Sequence, residues 1–298
     1  MNLSDSQNFI HNIGLAKKIV NISGINNEDL VLEIGPGKGI LTSALAETGC
    51  QIIAVEYDTL LAEELKKKYK HIDNVKIISG NILKFDLPNT QYKVLSNIPF
   101  NLTADILSKL FNGPNLPTDV FLIMQYEAFL KYAGKPYYSN SMKSLYIKPL
   151  YNSEILYRFK KSDFNPLPNA NIVLAFFKKK DKPDIEDNNL IEYKDLVSYL
   201  FVSKGQNFKE KTKDIFSSKQ QLRVMSKLNI DNNQIISDWD FAVWLEIFSV
   251  YLKYVSTLNK QKVKNSYKRL IEQQSKLQKL HRNRRYKNKK NNTMHTKN

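Results

Sequence analysis

Five short runs of the chain are almost continuously apolar: LVLEI (30–34), QIIAVE (51–56), VKIIS (75–79), YKVLS (92–96) and DVFLIMQ (119–125). Their length and β-branched content predict strands. They do not alternate apolar with polar, so they suit parallel strands covered on both faces rather than a sheet with one wet side. Helical spacing fills the gaps at 40–48, 59–69, 103–112 and 126–133. The alternation predicts a doubly wound, Rossmann-like α/β sheet. SEILYRF (153–159) and NIVLAFF (171–177) follow with only a loop between them, which predicts an antiparallel hairpin closing the sheet.

The pattern changes after residue 178. KKKDKPDIEDNN (178–189) has no apolar period and reads as a linker. Helical spacing then returns at 190–204, 208–216, 218–228 and 238–255, with a continuation to about 281. The expected organisation is an α/β domain over 1–178, a small all-α domain over 179–255, and a basic tail over 256–298, partly helical and then disordered. Phe241, Trp244, Phe248 and Tyr251 recur at helical spacing and are expected in the core of the helical domain.

Charge sharpens that division. The net charge is +16, but residues 256–298 hold 14 Lys or Arg against the single acid Glu272, leaving +3 for the rest. A segment so lopsided is expected to attract polyphosphate. Lys204, Lys209, Lys211 and Lys213 form a second basic cluster near a helix junction, where phosphate contact and a solvated face are both open. The one cysteine, Cys50, excludes a disulfide framework, and the four scattered histidines support neither a metal site nor a nucleophilic triad. No apolar run reaches membrane-spanning length and no signal-peptide pattern opens the chain, so a soluble cytoplasmic monomer without a metal is expected.

The candidate chemistry lies at strand ends. The first run ends in Glu33-Ile34-Gly35-Pro36-Gly37-Lys38-Gly39. Glycines at alternate positions let the backbone turn sharply and come close to a ligand. The sixth position of the dinucleotide fingerprint is Ile40, so the loop matches instead the acidic residue plus Gly-x-Gly-x-Gly form used by S-adenosylmethionine enzymes. The second run ends at Glu56, 21 residues after Gly35, where a carboxylate can accept from both hydroxyls of a ribose. Asp58 suits the cap of the next helix better than Glu56 does. After the third run, Asn81 offers an oxygen to an adenine amine and the Ile82 amide a donor to a ring nitrogen. After the fourth come Asn97-Ile98-Pro99-Phe100. An aryl amine is a poor nucleophile because its lone pair is delocalised into the ring. The Asn97 side-chain oxygen and a backbone carbonyl of the turn would hold its N–H groups and aim the lone pair at a sulfonium methyl. Pro99 stiffens the turn, and Phe100 gives a face on which a base stacks.

Ser6-Gln7-Asn8-Phe9-Ile10, EIGPGKG, Glu56, NIPF and Phe164-Asn165-Pro166-Leu167-Pro168, in this order, resemble the Erm/KsgA superfamily of rRNA adenine-N6 methyltransferases over residues 4–178. The helical domain, by its size and its closing WLEIFSVYLKY (244–254), resembles the Erm branch, the 23S rRNA enzymes. The resemblance implies S-adenosyl-L-methionine as cofactor, with Asn8 and the Ile10 backbone on its amino-acid end, Gly35 and Gly37 in the loop around it, Glu56 on its ribose and Asn81 on its adenine. It implies that Asn97 presents the target amine and that Phe100 and Phe164 sandwich the flipped base. The implied partner is 23S rRNA, mono- or dimethylated at one adenine, with resistance to macrolides, lincosamides and streptogramin B. Alternatives are a housekeeping 16S rRNA dimethyltransferase and a non-catalytic nucleic-acid-binding protein on the same fold. The sequence departs from the family in Asn81, where Asp is usual, and in Phe100, where Tyr is frequent.

Overall fold

A computed structural model describes residues 9–231 and 233–276. Its elements, in chain order, are β1 (Phe9–Ile10), α1 (Ile13–Ser23), β2 (Leu30–Ile34), α2 (Ile40–Ala46), β3 (Gln51–Glu56), α3 (Thr59–Lys68), β4 (Val75–Ser79), β5 (Lys93–Asn97), α4 (Thr103–Asn112), β6 (Asp119–Gln125), α5 (Tyr126–Ala133), α6 (Met142–Ile147), β7 (Tyr151–Arg158), β8 (Phe164–Asn165), β9 (Ile172–Lys179), α7 (Asp187–Val202), α8 (Phe208–Thr212), α9 (Ser218–Leu228), α10 (Phe241–Tyr254) and α11 (Thr257–Val263). They form two compact units: residues 1–138 with 147–183, and residues 139–146 with 184 onwards.

In the first unit, seven strands form one sheet in the order β4-β3-β2-β5-β6-β9-β7. β4, β3, β2, β5 and β6 are parallel; β9 runs antiparallel to β6, and β7 antiparallel to β9. The five apolar runs are therefore the parallel strands, and the hairpin closes the sheet as the sequence predicts. From β2 the chain winds outward through β3 to β4, then returns to the other side of β2 as β5. That reversal opens a crevice at the carboxyl ends of β2 and β5, the place where doubly wound sheets bind ligands. Val31, Leu32, Ile52, Ala54, Val94, Leu95 and Leu122 on these strands are all buried, which is why the runs are unbroken. Cys50 is buried among them, as a small apolar side chain.

Local chemistry sets the ends. Asn12 caps α1 by accepting from the Leu15 N–H, and Gly24 closes it in the left-handed region at φ 64°. Asp58, not Glu56, caps α3, accepting from the N–H groups of Leu60 and Leu61.

Three features differ from the sequence reading. The segment between β7 and β9 is not a plain loop: Phe164 and Asn165 pair antiparallel with Ile10 and Phe9 in a separate two-stranded ribbon. The helical continuation from 238 to 281 is interrupted: Ser256 caps α11 afresh, and the chain turns again at Lys264–Asn265, with Asn265 at φ 64°. Helix resumes over 266–276. Finally, the start of the basic tail is anchored in the fold: Val263 is fully buried in the core of the helical unit. The expected disorder beyond 281 falls outside the described residues.

That helical core gathers Tyr193, Leu196, Phe208, Trp239, Trp244, Phe248 and Tyr251, with Phe241 packed against it at partial exposure. The aromatic residues at helical spacing are thus core. Lys211 is buried as well; its Nζ donates to the carbonyls of Leu200 (2.8 Å) and Ser203 (2.9 Å) at the end of α7, so this member of the basic cluster is a helix cap.

Candidate active site

The glycine loop leaves β2 at the crevice with Gly35, Gly37 and Gly39 all left-handed, at φ 66°, 57° and 75°. Such backbone strongly favours glycine, and at Gly37 space demands it: a Cβ there would lie 2.5 Å from the Phe9 ring. Phe9 in β1 therefore lies directly against the loop. The ribbon is held further by His11, whose ring Nε2 is 3.0 Å from the Ser162 carbonyl.

Hydrogen bonds tie neighbouring strand ends together. The Ser96 hydroxyl at the end of β5 accepts from the Ile34 N–H at 2.7 Å, fixing the glycine loop against the segment that carries Asn97. Gly35 N–H donates to the Val55 carbonyl at 2.9 Å. Glu56 is buried and accepts through both oxygens, from the N–H of Gly37 and of Asp58, each at 2.9 Å. Gly80 N–H donates back to the Glu56 carbonyl at 2.7 Å, which sets the turn carrying Asn81. Asn81 Oδ1 accepts from the Leu83 N–H at 2.9 Å, and Ile82 is buried.

Phe9, Ile10, Glu33, Gly35, Pro36, Lys38, Ile40, Leu41, Asn97 and Ile98 line a cleft over these ends. The structure thus brings Ile10, Gly35 and Asn97 into one cleft. Gly37 and Glu56 join it through their shared hydrogen bond, and Asn81 with Ile82 follow one strand further out. Pro99, at φ −64°, starts a tight turn over Phe100–Leu102 that leads into α4. Its carbonyl accepts from the Leu102 N–H, and the Phe100 carbonyl accepts from Thr103. Phe100 is half-buried. Phe164, expected to stack on the base, is 2% exposed and packs against the Phe159 ring at 5.3 Å, because β8 is paired with β1 and faces the core. Asn8 lies outside the described residues.

Sequence reasoning gave no role to Glu33, which proves to be the most perturbed acid of the site. It is buried at the end of β2 and accepts from the Thr42 hydroxyl at 2.7 Å. Burial in an apolar strand, opposed by the Thr42 hydrogen bond and reinforced by the nearby Glu56, pushes its pKa up to about 8. The available signal was an acid inside an otherwise apolar run, with a threonine nine residues on.

The donor set fits a nucleoside carrying a charged amino-acid chain. Left-handed glycines allow close backbone approach, Glu33 offers a carboxyl inside the cleft, and Glu56 retains lone pairs beyond its two backbone donors. Among the described residues no group of three His, Cys, Asp or Glu could hold a metal ion. No described helix is long and apolar enough to cross a membrane.

A Rossmann-like sheet with this loop, this second-strand carboxylate and an Asn-Ile-Pro-Phe turn at the crevice defines an S-adenosyl-L-methionine-dependent methyltransferase. The model of the ribosomal RNA adenine dimethylase family matches residues 1–253, and the chain belongs to that family. Its relatives include an rRNA adenine N-6-methyltransferase of Limosilactobacillus reuteri, 31% identical over 84% of this chain and 96% of that protein. Another is the ribosomal RNA small subunit methyltransferase A of Mycoplasma capricolum, 30% identical over 84% of this chain and 96% of the relative. Among solved structures, the 23S rRNA methyltransferase ErmE superposes with a TM-score of 0.75 at 21% identity, over 83% of this chain and all of that one, a likeness in fold.

Proposed function

We propose that the protein transfers methyl from S-adenosyl-L-methionine to N6 of one adenine in 23S rRNA, once or twice, with resistance to macrolides, lincosamides and streptogramin B as the consequence. The observation that carries the chemistry is the position of Asn97. It ends β5 on the strand next to β2, so its side chain lines the cleft that also holds Gly35 and Glu33.

When bound, the cofactor supplies an electrophilic methyl on a sulfonium. Ile10, Gly35 and Gly37 would hold its amino-acid end, Glu56 its ribose, Asn81 and Ile82 its adenine, and Asn8 would join from the preceding segment. Asn97 Oδ1 accepts from the target amine. The second acceptor is a backbone carbonyl of the Asn97–Phe100 turn. Two acceptors at fixed angles turn the amine lone pair toward the methyl and stabilise the positive charge that develops on nitrogen. Pro99 keeps the turn stiff, and Phe100 stacks on the base, adding a cation–π contribution as that charge forms. No strong base is required, because the alkylated ammonium is acidic. The family resemblance assigns the opposite face of the base to Phe164. Flipping the adenine costs a few kcal/mol, least from an unpaired stretch of RNA.

The size of the helical unit and the WLEIFSVYLKY segment (244–254) of its helix α10 support 23S over 16S rRNA. The small-subunit relatives, matched at similar identity, support a 16S dimethyltransferase as the second reading. Labelled methyl transfer to protein-free 23S and 16S rRNA separates the two. We expect label on 23S rRNA; label on 16S rRNA alone would reverse the assignment, and none on either would remove the enzymatic reading. Asn97→Ala is expected to lower the rate at least a hundredfold with cofactor affinity within a few-fold of wild type. Full turnover in that variant would refute the positioning role.

A further inference from the structure

The strand at the edge of the sheet carries a register fault just before its end. β7 pairs with β9 as Ile155↔Ala175, then as Tyr157↔Leu174 and Arg158↔Val173, so Leu156 is an extra residue. Such a bulge reverses the face that each following side chain takes. Tyr157 turns toward α1, where Lys18 Nζ lies 4.6 Å from its ring centre. Arg158 turns the other way, toward α5, and its Cζ lies 4.8 Å from the centre of the Tyr126 ring. Without the extra residue the two side chains would exchange faces.

The same register sets Arg158 on the rim of the crevice. β7 and β6 both run antiparallel to β9, so Arg158 ends β7 at the edge where the parallel strands end. Val173 pairs with both Arg158 and Met124, and Met124 follows Ile123, the partner of Asn97. Three strand spacings therefore separate Asn97 from Arg158, about 14 Å at the backbone. The glycine loop, Glu56 and Asn81 stand over β2, β3 and β4. An RNA strand that delivers a base to Asn97 is left the other half of the sheet, over β5, β6, β9 and β7. Adenine, ribose and phosphate laid across that half fill the interval, with the arginine side chain supplying the remainder.

Arg158 is equipped to receive that phosphate. It is exposed, and no carboxylate among the described residues pairs with it, Glu127 beside Tyr126 included. Tyr126 is itself fixed: it is half-buried at the head of α5, and its N–H donates to the Asn171 carbonyl at 2.9 Å. A guanidinium over an aromatic ring is attracted to the ring face and keeps N–H groups for a two-pronged bond to phosphate.

We propose that Arg158, propped on Tyr126, binds a backbone phosphate of the substrate RNA at or next to the methylated adenosine. The proposal rests on the RNA-substrate reading above. The bulge aims the cation and the ring holds it, so the contact fixes where the RNA strand crosses the rim. An edge strand also carries charge simply to stay soluble, and the test separates the two roles.

The full chain is compared with Arg158→Ala, Arg158→Lys and Tyr126→Leu. Each is titrated, across a range of KCl, with the rRNA that accepts label in the transfer assay, or with a 23S rRNA fragment if none does. Loss of one phosphate contact lowers the slope of log affinity against log salt by ~0.7–0.9. We expect that drop in Arg158→Ala, with RNA affinity down about tenfold and KM for RNA raised to match. Its kcat at saturating RNA, its cofactor affinity and its melting temperature should equal those of the full chain. Arg158→Lys should keep the slope and recover part of the affinity. Tyr126→Leu should keep the slope and weaken binding about two- to fivefold. A methylphosphonate, which removes one phosphate charge, is then placed in turn at each linkage around the methylated adenine. At one linkage it should weaken the full chain about tenfold and Arg158→Ala less than about twofold.

An unchanged salt slope in Arg158→Ala overturns the phosphate contact and leaves the arginine as edge protection. A raised KM for the cofactor with the RNA slope intact would pair Arg158 with the cofactor carboxylate and overturns it too. Equal methylphosphonate losses in both proteins at every linkage place the contact elsewhere on the RNA and overturn its assignment to the adenosine. Full affinity in Tyr126→Leu overturns the prop. If no rRNA accepts label yet the slope drops in Arg158→Ala, the proposed function fails and the phosphate contact stands.

Discussion

Glu56 and Gly37 are joined by a 2.9 Å hydrogen bond from the glycine amide to the carboxylate. The acid at the tip of β3 therefore shapes the loop after β2 before any ligand arrives. Its other oxygen accepts from Asp58, whose own side chain caps α3, so one carboxylate braces two turns.

Glu56→Gln should be costly despite its near-identical shape. Both oxygens face backbone donors, so the amide NH2 must confront one N–H whichever way it turns. We expect cofactor affinity to fall at least tenfold by calorimetric titration, with a lower melting temperature. Unchanged affinity would show that the carboxylate does not organise the loop.

Gly37→Ala combines two penalties, a left-handed backbone and a Cβ 2.5 Å from the Phe9 ring. The backbone alone costs about 1 kcal/mol. The collision adds to it and should push β1 off the loop, weakening cofactor binding. Phe9→Ala in the Gly37→Ala background should recover the collision but not the backbone cost. Additive effects in the double-mutant cycle would refute the contact.

Glu33 predicts a pH dependence. Unfolded, the carboxyl ionises near 4.5; folded, it holds its proton to about 8. Between those values the native state binds more protons than the unfolded state, so stability falls as pH rises through that window and levels above it. Up to about 3 kcal/mol is at stake by pH 7. Glu33→Gln, which keeps an acceptor for Thr42, should flatten this dependence and be the more stable protein at pH 8. Urea unfolding at pH 5 and pH 8 reads the difference, and parallel slopes for the two proteins would exclude it.

Val263 predicts where the chain tolerates shortening. A protein ending at Val255 loses a fully buried side chain together with the Asn259 amide that donates to the Ile215 carbonyl at 3.2 Å. It should melt several degrees below one ending at Lys276, which should match the full chain by calorimetry. Equal melting temperatures would place α11 outside the folded unit.

The parallel sheet was readable because strands buried on both faces need unbroken apolar runs, and the candidate residues at their ends follow from where doubly wound sheets bind. Glu56, Asn97 and the glycines were singled out this way, and the structure places them at neighbouring strand ends. The ribbon of Phe9–Ile10 with Phe164–Asn165 was not readable, since two-residue strands have no period and pair across more than 150 residues of chain. The burial of Phe164 follows from that pairing and was missed with it. Glu33 was seen only as part of a loop motif; its raised pKa depends on neighbours that the sequence does not place. In the helical unit, apolar spacing ran on past 255, while the breaks at Ser256 and Asn265 depend on a single cap and a single left-handed residue.

Lys211 makes a practical marker. Its ammonium is buried, engaged by two carbonyls, and held below the ordinary lysine range by burial. An acylating reagent that maps lysine accessibility with and without RNA should leave it unlabelled in both states, while Lys204 and Lys209 report the surface around it. Labelling at Lys211 would then signal that α7 and α8 had come apart, an internal alarm for unfolding within the same footprinting experiment.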